Sequence, residues 1–145
     1  MRSKHAHFFE LALKEAHRAA QQQEIPIGAV LVQGERVLAK AHNLTEKNRS
    51  FLAHAEMLCL AKVSRRLKSK FVSGARLYVT VEPCMVCRFA ARLCRIEMIY
   101  YLAPSEKFGT NTKRYFKTGI RKSRLPSQKE ISVSLLKNFF ISKRN

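Results

Sequence analysis

Two short runs constrain this chain more than anything else in it: His54-Ala55-Glu56, and Pro83-Cys84-Met85-Val86-Cys87, which begins 29 residues after the histidine. Each stands at the start of a run of good helix formers. A proline is tolerated in the first turn of a helix, where its missing N–H costs nothing, and thiolates there gain from the exposed backbone N–H groups. Any fold that uses both runs together must bring two helix starts to one place. Helices that follow strands of the same direction open at the same edge of a sheet, so the requirement points to alternating strands and helices.

The rest of the chain supplies that alternation. Phe8, Leu11, Ala12, Glu15, Ala16 and Ala19 share one helical face, which predicts an amphipathic first helix. Ile27 to Val32 and Arg36 to Ala41 read as strands joined through Gln33-Gly34-Glu35, a hairpin connection. A polar, aperiodic stretch from His42 to Leu52 leads into a helix over Ala53 to Val63. Arg76 to Val81 is β-branched and aromatic, Cys84 to Cys94 is helical, and Ile96 to Tyr101 reads as a further strand. Lys107 to Lys129, basic and broken by Gly109, Gly119 and Pro126, predicts a long irregular segment before a terminal helix over Ser132 to Lys143. The order predicts an α/β architecture with parallel strands made by crossover connections. A length of 145 residues suits a single domain, 1–145, around one core.

His54, Cys84 and Cys87 form a ligand set for one catalytic Zn2+ per chain: three protein donors leave the fourth tetrahedral position for water. Glu56, two residues from a ligand at a helix start, can stay beside the metal without binding it, as a general acid and base requires. A lone Cys-x-x-Cys also suits half of a structural zinc site or a redox pair. A structural site needs a fourth protein ligand, and the remaining cysteines, Cys59 and Cys94, read as small apolar residues of helices. The full pattern of His-x-Glu followed by Pro-Cys-x-x-Cys is that of zinc-dependent nucleobase deaminases.

Charge bears on the partner. With 28 Lys and Arg against 10 Asp and Glu, the formal net charge is +18, a surface that attracts polyanions and nucleic acid above all. Four cysteines, two of them in metal spacing, do not form a disulfide framework and predict a reducing, cytoplasmic setting. Met1 to Gln23 is basic and amphipathic, but Glu10 and Glu15 and the apolar stripe mark it as a core helix rather than a transit peptide. No apolar run approaches the ~20 residues that span a bilayer, so no membrane partner is expected.

On Glu24 to Val30 (EIPIGAV), Ala53 to Glu56 (AHAE) and Leu77 to Cys87 (LYVTVEPCMVC), the chain resembles the bacterial tRNA-specific adenosine deaminases of the cytidine deaminase-like superfamily. The resemblance runs to about Tyr101 and returns at the C-terminus. It implies a three-layer cytidine deaminase-like fold with a five-stranded mixed sheet flanked by helices, a homodimer, and conversion of adenosine to inosine at the wobble position of a tRNA anticodon stem-loop. It further implies substrate contacts from Asn43, Ala55, Ser105 and Phe140, the last on a terminal helix with Phe139, Lys143 and Arg144. Without it, Asn43 reads as a loop residue serving a turn. The chain departs from the family at Ser50-Phe51-Leu52, where Asp-Pro-Thr is usual, and at Arg88-Phe89, where small residues are usual. Ser105 stands where an Asp commonly faces the ribose, with Glu106 as an alternative acid, and the terminal segment is about two helical turns shorter. A deaminase of free cytosine, guanine or nucleosides would share the zinc site without needing the basic surface. A non-catalytic RNA-binding subunit would have no use for Glu56.

Overall fold

The computed structural model describes residues 3–105 and 119–144. Helix α1 (Lys4–Gln21) starts where the Ser3 hydroxyl accepts the backbone N–H of Ala6 at 3.1 Å. It buries the expected stripe, widened by Phe9 and Leu13, while Leu11 lies half-buried at the margin. Strands β1 (Gly28–Gln33) and β2 (Arg36–His42) form the antiparallel hairpin, and Gly34 turns it with φ +61°. Helix α2 (Ala55–Leu67) leads to β3 (Arg76–Val81), helix α3 (Met85–Leu93) to β4 (Met98–Ala103), and β5 (Gly119–Lys122) to helix α4 (Pro126–Arg144).

The sheet runs β2-β1-β3-β4-β5, with β1 antiparallel to both neighbours and β3, β4 and β5 parallel. It is a five-stranded mixed sheet flanked by helices, as the family resemblance implies. Its central strands are buried on both sides and alternate between two cores, the pattern expected of a sheet covered on each face. Ala29, Leu31, Leu77 and Val79 point to the α2 side with Cys59, Leu60 and Val63. Val30, Val32 and Tyr78 point to the α1 side with Phe8, Phe9, Ala12 and Leu13. Helix α4 joins α1 on that second face, where Ser132 Oγ donates to the Thr80 carbonyl at 2.9 Å.

Two expectations need correction. The stretch from Lys107 to Lys129 is not irregular throughout: its described part holds β5 and the first turn of α4, and residues 106–118 lie outside the described residues. β5 carries only four residues, GIRK, and exists because β4 offers a parallel partner rather than because of its own apolar pattern. The strand expected over Ile96 to Tyr101 begins two residues later. Arg95 adopts φ +63°, and Ile96 then donates its N–H to the Ala91 carbonyl and buries its side chain under α3.

Candidate active site

Because β1 is antiparallel to both of its neighbours, β2 and β3 run in the same direction and deliver the chain to the same sheet edge. From β2 the chain passes through a loop to His54, and from β3 it reaches Cys84 within three residues. Both are N-caps rather than helical residues, extended at φ −69°, ψ 148° and φ −68°, ψ 169°, and neither makes a side-chain capping hydrogen bond. Side chains released from capping turn instead towards each other. His54 Nδ1 lies 3.3 Å from Cys87 Sγ and 3.6 Å from Cys84 Sγ, and the three donor atoms lie within 4.8 Å of one another.

The protonation pattern suits a cation. Hydrogen bonding from Cys87 holds the Cys84 thiol down at about 4, while Cys84 in turn, with burial, pushes Cys87 up. The Cys84 thiol raises the His54 imidazole. Two sulfurs sharing one proton beside an imidazole are a donor set for a borderline-soft, tetrahedral metal such as zinc. Among the described residues no fourth ligand joins them. Cys59 is buried in the core with its thiol 3.4 Å from the Ala29 carbonyl, and Cys94 is half-buried.

Glu56 is buried and accepts from Cys87 Sγ at 3.1 Å. Desolvation pushes its carboxyl above the ordinary carboxylate range, against the hydrogen bond from Cys87, which favours the charged form.

The remaining sequence-derived residues sit as follows. Asn43 follows β2, is buried, and donates Nδ2 to Thr45 Oγ1 at 3.3 Å, while its Oδ1 has no partner among the described residues. A turn-forming asparagine would spend that oxygen locally. The Ala55 side chain is packed in the core, in the first turn of α2. Ser105 lies just past β4, at the same edge as Cys84, with its N–H 3.2 Å from Glu82 Oε1. Glu106 lies outside the described residues. Phe140 is exposed on α4 with its ring 5.3 Å from that of Phe139, and Lys143 borders a groove with Glu24, Glu46 and Lys47. The departures also find places: Phe51 is 92 % exposed in the loop before His54, and Arg88 is buried, with Glu82 and Tyr101 near enough to act on its charge.

Sequence reasoning missed the role of Glu24. Its buried carboxylate accepts the backbone N–H groups of Glu46 at 2.9 and 3.2 Å and of Lys47 at 2.9 Å, which fixes the loop that follows Asn43. A carboxylate beside a strand carries no sequence signal that its partners are backbone groups 22 residues away.

Fold and site together define a zinc-binding deaminase. The family described as the cytidine and deoxycytidylate deaminase zinc-binding region matches residues 2–103. A tRNA-specific adenosine deaminase of Aquifex aeolicus is 43% identical over 103 residues, which are 71% of this chain and 68% of that one. A solved structure from work on A-to-I editing by tRNA:A34 deaminases superposes with a TM-score of 0.80 at 34% identity, covering 90% of this chain and 99% of that one. A guanine deaminase from Nitrosomonas europaea shares the fold at a TM-score of 0.78 and 16% identity, covering 96% of this chain and 85% of that one. The chain belongs to the tRNA-specific adenosine deaminase family.

Proposed function

We propose that this chain, as one deaminase domain over residues 1–145, converts adenosine to inosine at the wobble position of a tRNA. The observation that carries the reading is Glu56: a buried carboxyl outside the metal-ligand group yet 3.1 Å from one of its sulfurs. His54, Cys84 and Cys87 would hold one zinc. Bound there, zinc supplies a hydrolytic nucleophile at neutral pH, because it lowers the pKa of a coordinated water towards ~7. Glu56 takes the proton that the water loses, gives it to the ring nitrogen beside the attacked carbon, and carries another to the departing amine. Adenosine and water thus become inosine and ammonia. The Asn43 Oδ1, buried and without a partner among the described residues, would accept from the substrate. Ala55 offers a backbone N–H of the first helical turn, and the Ser105 hydroxyl and the Phe140 ring serve the sugar and the loop around it. Arg121, Lys122 and Lys143, all exposed, add charge for the anticodon arm, while Lys113, Arg114 and Lys117 lie outside the described residues.

The same reading includes a cytoplasmic homodimer. Met85, Val86, Phe89 and Leu93 project from one face of α3 and are 44, 55, 45 and 72 % exposed, an apolar patch of the kind that marks a protein contact. No helix among the described residues is long and apolar enough to cross a membrane.

The test is incubation of the zinc-loaded protein with a tRNA arginine transcript and, separately, with free bases and nucleosides. Inosine at the wobble position, read as guanosine on sequencing, is the expected outcome. Turnover of guanine, cytosine or cytidine with the tRNA untouched would replace the proposal with a small-molecule deaminase.

A further inference from the structure

Away from the zinc ligands, strand β2 is an edge of the sheet among the described residues, with α1 on one face and α2 on the other. Along this edge the two helices flank a groove of about 540 Å3. A bare strand edge invites another chain to pair with it. Here the carbonyl of Lys40 accepts from Lys62 Nζ at 2.8 Å, and that of Leu38 accepts from the Arg66 guanidinium. The edge is therefore closed to strand addition and lined with cations. Lys40 adds a further positive charge, while Arg18 is paired with Glu15. The one carboxylate in the groove, Glu15, is 5 % exposed and already engaged by Arg18 Nη1 and His42 Nδ1, each at 2.9 Å. It offers no repulsion to an incoming anion. The groove reaches His42 and Leu44, the two neighbours of Asn43, and Leu44 donates its N–H to the Ala53 carbonyl at 2.9 Å, so this end of the groove lies against the segment that leads into His54.

We propose that this groove binds the phosphodiester backbone of the RNA flanking the edited nucleotide, an inference that rests on the tRNA deaminase reading. Lys62 and Arg66 are held in place by the strand they cover, so they meet phosphates with little ordering cost, and a groove six residues of β2 long spans ~17 Å. Cations of this kind set affinity and salt dependence rather than sequence preference.

The experiment compares the wild type with a Lys40→Ala, Lys62→Gln, Arg66→Gln variant, in which both glutamines can still donate to the strand carbonyls. Binding of a tRNA transcript is measured between about 50 and 200 mM salt, alongside thermal melting and the single-turnover rate at saturating RNA. Three lost phosphate contacts at ~0.7 each should lower the log-log salt slope by about 2, with the saturated rate unchanged. If the triple variant melts early, Lys40→Ala alone should lower the slope by ~0.7. An unchanged slope in variants of a protein that binds RNA overturns the groove and leaves the deaminase reading intact, as would slope loss only towards an acidic peptide. A wild type that binds no RNA overturns the groove as well. A lost slope in a protein that deaminates no tRNA upholds the groove and removes the reading beneath it.

Discussion

Glu56 is a residue that folding alone would not retain: a buried carboxyl costs stability, and an apolar side chain in the first turn of α2 would pack as well. The proton transfer proposed for it would account for its place. Glu56→Gln should keep both zinc and fold yet lose deamination by ~10² or more, since the amide can neither accept nor release the transferred proton. Metal analysis with a single-turnover assay checks this, and near-wild-type activity in a fully metallated variant would remove the role. The ligands predict the converse. A Cys84→Ser, Cys87→Ser double variant should hold less than half an equivalent of zinc, because hydroxyls are poor zinc ligands where thiolates are removed. His5 makes a pH prediction away from the site. Burial, with Arg76 nearby, lowers its imidazole below the ordinary 6.5, and its Nδ1 lies 2.9 Å from the Tyr78 hydroxyl, a group that burial pushes up to about 12. A group whose folded pKa is depressed makes the unfolded state the better proton binder, so folding should weaken as pH falls below about 6.5. Denaturant titrations across pH 5 to 8 should show that slope, and His5→Gln should reduce it.

Among the secondary elements, the contact of α1 with the sheet has the least room to adjust. A Cβ on Gly28 would stand 1.9 Å from the Ala12 carbonyl oxygen and 2.7 Å from the Ala16 nitrogen, both backbone atoms. Gly28→Ala must therefore push α1 off β1, and overpacking of that kind costs about 1–3 kcal/mol or more. A lower denaturant midpoint with zinc content unchanged is the expected result. The elements differ in how far the sequence alone makes them readable. Helices α1, α2 and α3 and the buried strands β1 and β3 carry their own periodicity, because each buries a continuous stripe or both faces. The His54 and Cys84 positions were readable for the same reason, being tied to helix starts by Pro83 and by the change in pattern at Ala53. β5 was not, since a polar four-residue edge strand is stabilised by its neighbour. The first turn of α4, Pro126-Ser127-Gln128-Lys129, was hidden similarly: it is polar, and Gln128 Nε2 is tied to the Ala6 carbonyl of α1 at 2.8 Å, a contact 122 residues distant in sequence. The metal group and Glu56 follow from spacing, whereas the unpartnered Asn43 oxygen and the Glu24 clamp on its loop depend on tertiary contacts that no local pattern encodes.

For the molecule as a whole, the proposed dimer would tie assembly to the active site through the apolar face of α3. The helix begins beside Cys84 and carries Cys87 on its buried side, so whatever covers its outer side also braces the ligand turn. Exposed Val86 and Leu93 stand seven residues apart on that face, with Met85 and Phe89 between and beside them, all outside the metal group. A surface of net charge +18 repels its own copies at long range, which makes a contiguous apolar patch the place where two chains can meet. Light scattering or sedimentation of the wild type should give a dimer. Val86→Glu with Leu93→Glu should give a folded monomer that retains zinc, because burying two carboxylates against an apolar partner is costly while leaving them in water is not. If α3 needs its partner to hold the Cys84–Cys87 turn, the monomer should also lose turnover while keeping its affinity for RNA in the β2 groove. A wild type that is monomeric at micromolar concentration, or a double variant that remains dimeric, would place the interface elsewhere and leave the exposed face of α3 without this explanation.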